Sequence, residues 1–233
     1  MYSALHPPSI LKTLERLQAR IDERFPESGL GRVCAELIDT ARQTADKAAA
    51  LARPDWRLRG AVMALIAAGL AAQIAAARFL HVSVGDMTAT ELAQGLEAAV
   101  NLLILFGGAV WFLLTLEERL KRRRALEALH QLRQLAHVID MHQLTKDPTI
   151  ILAPHKKTSA SPARAMSRFE LTRYLDYCAE MLALIGKLAA LYGENARDGV
   201  IIDAINDIEN LTGNLGRKIW QKITIIGVLE ERD

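Results

Sequence analysis

The sequence predicts an all-α protein: a two-span transmembrane helical hairpin with a cytoplasmic helical bundle formed by the N- and C-terminal flanks. Three observations carry this. First, two apolar runs, Ala61–Leu80 (AVMALIAAGLAAQIAAARFL) and Leu96–Leu116 (LEAAVNLLILFGGAVWFLLTL), are joined by a short polar loop. Each matches the ~20 residues a helix needs to cross a bilayer, and lipid gives the backbone no hydrogen-bond partner, so such a span must be helical. Second, basic residues gather at the ends of both runs that lie away from the loop. Third, the flanks repeat apolar residues every three or four positions, with no convincing strand alternation.

The elements follow in order. Residues 1–56 read as an N-terminal cytoplasmic helical hairpin. Ile10, Leu14, Leu17, Ile21 and Phe25 share one face of its first helix, which Pro7 and Pro8 precede and Pro26 ends. Pro26-Glu27-Ser28-Gly29 is a turn, and a second helix runs from about Leu30 to Ala52 with Val33, Leu37, Ile38, Ala41, Ala45 and Ala48 on one face. Pro54 closes it. Residues 57–116 form the transmembrane hairpin, with spans at about 60–80 and 96–116 and an outer loop at 81–95. Met1 to Ser9 lack a basic stretch followed by an apolar core, so the first span is expected to act as the insertion signal.

Residues 117–146 extend the second span into the cytoplasm, with Ala125, Leu129, Leu132, Ala136 and Ile139 in a 4-3-4-3 seam. No breaker occurs before Pro148, so one continuous helix from Leu96 to Leu144, on the order of 70 Å long, is expected. Residues 147–166, with Pro148, Pro154, Pro162 and Lys156-Lys157-Thr158-Ser159, read as a flexible linker; Ile150-Ile151-Leu152 within it can dock on the bundle. Residues 167–233 form a C-terminal cytoplasmic helical hairpin. Ser167-Arg168-Phe169-Glu170 is a capping box that opens its first helix, and Phe169, Cys178, Met181, Leu182, Ile185 and Leu188 point inward. Its last helix carries Ile201, Ile205, Ile208, Thr212, Leu215 and Ile219, widened by Trp220, Ile223 and Ile226. Gly213 and Gly216 either weaken that helix or admit a neighbouring backbone.

Charge sets the orientation. Arg57 and Arg59 precede the first span; Arg119, Lys121, Arg122, Arg123 and Arg124 follow the second; the loop holds Asp86 and Glu91 but no lysine or arginine. Basic residues near span ends stay on the cytoplasmic side, so both termini are expected there, in a bacterial-type inner membrane. Arg78, near the outer end, snorkels towards Asp86, Glu91 or Glu97. The formal net charge is only +2, and the excess sits at the membrane edge, where anionic headgroups explain it better than nucleic acid does. Aromatics at 5% leave no base-stacking surface. Cys34 and Cys178 both lie on the reducing side and form no zinc pattern.

The side chains able to carry chemistry are few. Gln73 and Asn101 sit at depths in their spans that differ by about 3 Å, so the two amides can bond each other and pin the hairpin, for ~1 kcal/mol, or line a polar path through an oligomer. Ala67, Ala71 and Ala75 form a small-residue face on the first span, Ala68, Ala72 and Ala76 a second, and Gly107 and Gly108 offer the same on the other span. Two such faces exceed what a two-helix hairpin needs and point to self-association. Asp203, Asn206, Asp207, Asn210 and Asn214 share a helix face that reads as solvated rather than as a cation site. His130, His137, Asp140 and His142 match no zinc spacing. The basic block at 119–124 reads as a topological anchor before a specific acidic-lipid site. Tyr174, Tyr177 and Tyr192 read as core edge.

Enzyme signatures (a phosphate loop, a nucleophile elbow, a paired-histidine metal helix, a Rossmann fingerprint) are missing, and no cofactor or metal is expected. The expected function is non-enzymatic: an inner-membrane protein that self-associates, with the lipid bilayer and a cytoplasmic protein as partners and no nucleic acid, acting as a scaffold. An oligomeric pore with Gln73 and Asn101 lining the path is the alternative. A sensor that relays bilayer state through the long helix is a third.

Overall fold

The computed structural model describes residues 5–79, 88–146, 148, 166–193, 196 and 198–230. Among the described residues the chain is all-helical, with seven helices and no strand. These are α1 (Pro7–Arg24), α2 (Gly29–Ala52), α3 (Trp56–Phe79), α4 (Ala89–Leu114), α5 (Leu116–Leu144), α6 (Arg168–Gly193) and α7 (Gly199–Glu230). They form two compact units, one of residues 1–52 and 124–233, the other of residues 53–123. The expected linker residues Pro154, Lys156, Lys157 and Pro162, the Ile150-Ile151-Leu152 segment and Asp86 of the loop lie outside the described residues.

In the larger unit, α1 starts on Pro7 and Pro8, whose fixed φ suits a helix's first turn and whose missing N–H is not needed there. Its apolar face buries Ile10, Leu14, Leu17 and Ile21, as the spacing predicts. The turn after it holds Glu27 at φ 56°, a left-handed conformation that a non-glycine residue rarely adopts. Ser28 closes the turn by accepting from the Gly31 N–H through its Oγ, 3.1 Å, which caps α2. α2 then buries Leu30, Val33, Cys34, Leu37, Ile38 and Ala41. The capping box at the head of α6 is complete: the Ser167 N–H donates to Glu170 Oε2 at 2.7 Å and the Glu170 N–H to Ser167 Oγ at 3.2 Å. Bonds to Glu170 Oε2 from the Ser167 N–H and, at 2.9 Å, from the Ser167 hydroxyl favour the ionised form and hold the carboxyl below its ordinary range.

α6 is the central helix. It packs along α7 and also meets α1 and α2, so its buried residues run nearly all round, from Leu171 through Leu175, Cys178, Leu182 and Ile185 to Tyr192. Such a helix has no amphipathic stripe to read. Phe169 departs from the expectation: it lies 60% exposed in the first turn of α6, its ring facing the Arg24 guanidinium at 5.0 Å. The three tyrosines are buried, and Tyr174 and Tyr177 both meet Phe25 edge-on. α7 buries Ile201, Ile205, Ile208, Thr212, Leu215, Ile219 and Ile226, while Trp220 turns outward. The close approach between α6 and α7 falls at Gly186, where an added Cβ would stand 3.2 Å from Thr212 Oγ1; Gly213 and Gly216 have open space beside them.

α5 contributes Ala125, Leu129, Leu132, Ala136 and Ile139 to the same core, as its seam predicts. Its last turn is tied in by polar bonds. Lys222 Nζ donates to Gln143 O at 3.0 Å and to Gln143 Oε1 at 2.6 Å, and the Gln143 side chain is buried. His142 stands 3.4 Å from the Tyr174 hydroxyl. Burial, with Lys146 and Arg32 nearby, lowers the His142 pKa, so it is held neutral.

In the smaller unit, α3 and α4 are long and apolar enough to cross a membrane, over Trp56–Ala75 and Ala93–Leu114, with mean hydropathies of 1.7 and 1.9. α4 begins at Ala89, seven residues before the apolar run, so Ala89–Gly95 of the expected loop is helical. Hydropathy marks where a helix is apolar, whereas Ala, Glu, Leu and Gln extend it in either environment. The single long helix expected over Leu96–Leu144 is instead two, α4 and α5, interrupted at Thr115. The Thr115 hydroxyl turns back onto the Trp111 and Phe112 carbonyls, 3.1 Å from each, a bonding pattern that perturbs helices from within.

Candidate functional site

The polar chemistry of the smaller unit concentrates where α3 begins and α4 gives way to α5. Asp55 starts α3: its Oδ1 accepts from the Leu58 N–H at 3.2 Å, an N-cap supplied just after Pro54. Glu117, in the first turn of α5, joins the two chain segments. Its Oε2 accepts from Arg59 Nε at 2.6 Å, and its Oε1 from the Asp55 N–H at 3.1 Å and from Lys121 Nζ at 2.8 Å. Lys121 Nζ also donates to the Arg53 carbonyl at 2.7 Å. The Glu117 side chain is only 12% exposed. Its hydrogen bonds to Arg59 and then Lys121 favour the ionised form and pull its pKa from an ordinary 4.5 to about 2. Nothing in hydropathy or motif marks Glu117, because its role depends on a partner 58 residues away.

Of the residues of the expected basic anchor, Arg59 and Lys121 bond this carboxylate. Arg59 lies 5.7 Å from the centre of the Trp56 ring, and Arg119 lies 4.9 Å from that of Phe112. Arg57, Arg122 and Arg123 are exposed in the same unit, and Arg124 is exposed where the other unit begins. Beside Glu117 a groove of about 400 Å³ opens between α3 and the α4–α5 junction, with Leu58, Val62, Met63, Leu113 and Leu114 as apolar walls and Arg59, Glu118 and Lys121 at its polar rim.

Along the apolar lengths, Gly69 faces the Phe106 ring: an added Cβ would stand 3.1 Å from Phe106 Cε2. Two pairs thus join α3 to the later helices: Arg59 bonds Glu117 of α5, and Gly69 faces Phe106 of α4. Ala67, Ala71 and Ala75 are exposed, as are Ala68 and Ala72; the Ala76 side chain lies outside the described set; and Gly107 and Gly108 have nothing within 4 Å of an added Cβ. Gln73 is half-buried and Asn101 exposed, and no hydrogen bond joins them among the described residues. Val62 is the one buried side chain among those described on α3 and α4. Gly69 was legible as a small residue, but its role appears only once Phe106 is opposite it.

The remaining candidates stay dispersed. Asp203, Asn206, Asp207, Asn210 and Asn214 are exposed on α7, and Asn214 accepts from Arg217. His130 and His137 are exposed, with His130 bonded to Gln134 at 3.1 Å, and Asp140 accepts from Gln143. Among the described residues no three His, Cys, Asp or Glu side chains converge as metal ligands do. Cys34 and Cys178 are buried free thiols, each pushed up to about 12 by burial, and so are not nucleophiles at neutral pH. Compared with known proteins, the chain matches no protein-family model, no curated protein and no solved structure.

Proposed function

We propose that this is a non-enzymatic membrane-anchored scaffold. In this reading α3 and α4 cross an inner membrane as an antiparallel hairpin with both termini cytoplasmic, copies of the chain associate through the hairpin, and the helical bundle is presented to a cytoplasmic protein. The observation that carries it is the set of small residues left exposed, Ala67, Ala68, Ala71, Ala72 and Ala75 on α3 and the Gly107-Gly108 step on α4, while Gly69 of α3 faces Phe106 of α4. In lipid the hydrophobic effect does not drive helices together, and close approach at small residues does. Asn101 supports the same reading, since an exposed amide in hydrocarbon is costly until another helix bonds it. Exposed Trp220, Met141 and Leu144 supply apolar surface on the bundle for a partner.

The test is the subunit count of the full chain in nanodiscs by native mass spectrometry. The wild type is expected as an oligomer, and Gly107→Ile with Gly108→Ile as a monomer that still inserts. A wild-type monomer removes self-association from the account. A conducting oligomer is the second reading, favoured by Gln73 and Asn101 lying deep within the apolar runs of α3 and α4. It requires a closed ring of about four or more hairpins to enclose water, and Gln73→Leu with Asn101→Leu to stop flux while leaving the ring intact.

A further inference from the structure

We propose that the groove between the start of α3 and the α4–α5 junction binds one anionic phospholipid, with the phosphate on the terminal nitrogens of Arg59 and an acyl chain along Leu58, Val62, Met63 and Leu113. The inference rests on the membrane-anchored reading and adds a ligand of defined chemistry to it.

The charge argument begins at Glu117. That carboxylate already receives Arg59 Nε, Lys121 Nζ and the Asp55 N–H, so its negative charge is spent within the protein. What remains at this edge is positive even with Arg122 and Arg123 set aside: Arg53, Arg57, Arg59, Arg119 and Lys121 stand against Asp55, Glu117 and Glu118. Arg59 is the basic residue the fold has oriented. Its Nε is committed to Glu117 and its plane lies near Trp56, while its two terminal nitrogens make no hydrogen bond among the described residues. A guanidinium held in this way is a pre-ordered fork for two phosphate oxygens, so little side-chain entropy is lost when it binds. Glu118 also lines the groove, and its carboxylate disfavours an anion beside it, which leaves Arg59 as the headgroup's partner.

The walls select a lipid over free phosphate. Five aliphatic side chains line a space of about 400 Å³ that opens off the polar rim. An inorganic anion makes no contact with them, whereas an acyl chain packs along them. Trp56, the first residue of α3, marks the interfacial depth at which headgroups lie.

Native mass spectrometry of the full chain in detergent, titrated with dioleoylphosphatidylglycerol, dioleoylphosphatidylcholine or glycerol 3-phosphate, tests the site. The expected result is one retained phosphatidylglycerol, preferred over phosphatidylcholine by roughly fivefold or more, the scale of one well-placed basic residue. Arg59→Gln should bring the two lipids to parity, and Met63→Trp, which fills the groove, should lower retention of both. Arg59→Lys keeps the charge without the fork and should leave an intermediate preference, which guards against a folding defect in the glutamine variant. Arg119→Gln removes an equal charge outside the groove and should leave the preference intact. Parity in the wild type, a preference that survives Arg59→Gln, an equal loss in Arg119→Gln, or competition by glycerol 3-phosphate each overturns the site. Carbonate extraction of the same protein from membranes separates the two claims. A chain that resists extraction yet shows no preference loses the lipid site alone, while a chain that is extracted loses the membrane reading and the site with it.

Discussion

Glu117 shows how one side chain can organise an edge that charge counting describes only in bulk. Its folded-state pKa lies below its unfolded value, so its contribution to stability is present above about 4.5 and is lost as pH falls towards about 2. Hydrogen exchange of the segment from Asp55 to Arg59, corrected for intrinsic rates, should therefore accelerate across that window. Glu117→Gln should exchange fast throughout and show no step of its own there. A step of equal size in the variant would assign the effect to other carboxylates. A second residue-scale contrast lies in the glycines. Gly213 is exposed and mid-helix with open space beside it, so Gly213→Ala should stabilise by about 0.5–1 kcal/mol. Gly186 faces Thr212, so Gly186→Leu should destabilise by about 1–3 kcal/mol through overpacking. Urea unfolding followed by circular dichroism measures both, and the two signs should be opposite.

At the scale of the element, periodicity served wherever a helix has one buried face. The Ile10-Leu14-Leu17-Ile21 row of α1 and the Ala125-Leu129-Leu132-Ala136-Ile139 row of α5 are buried as their spacing requires. It served less well for α6, which is covered on several sides and therefore shows no single stripe. Leu182 is fully buried at its centre, so Leu182→Ala should cost about 2–5 kcal/mol. Leu144→Ala, on an exposed position of α5, should change stability by less than about 0.5 kcal/mol in the same urea titration. The break at Thr115 was hidden for a different reason. Threonine is tolerated in helices, and only the two carbonyls its hydroxyl meets reveal the interruption.

At the scale of the molecule, the chain's first 52 residues and its last 110 share one core, although 71 residues of the other unit separate them in sequence. A truncation therefore does more than remove a terminal module. Deleting Ser167 to Asp233 takes away α6, against which α1 and α2 are packed, and α7 with it. Limited proteolysis should then cut within residues 7–52, which resist cleavage in the full chain. If the N-terminal helices stay resistant in the deletion, they form a hairpin stable by itself. For the same reason, lost assembly in that deletion would report a collapsed core, and the glycine substitutions on α4 are the sharper probe of association.

The sequence by itself determined the helical class, the positions of the two apolar helices, the basic residues beside them and the apolar rows of the one-sided helices. All of these follow from local composition and from a 3.6-residue period. Tertiary structure alone decided which small residue meets a ring across α3 and α4, which carboxylate joins Arg59 to Lys121, that Gln143 and Lys222 tie α5 to α7, and that α6 is the shared centre of the bundle. Each of these is a pairing between residues far apart in the chain, and a local pattern carries no term for the distance between them.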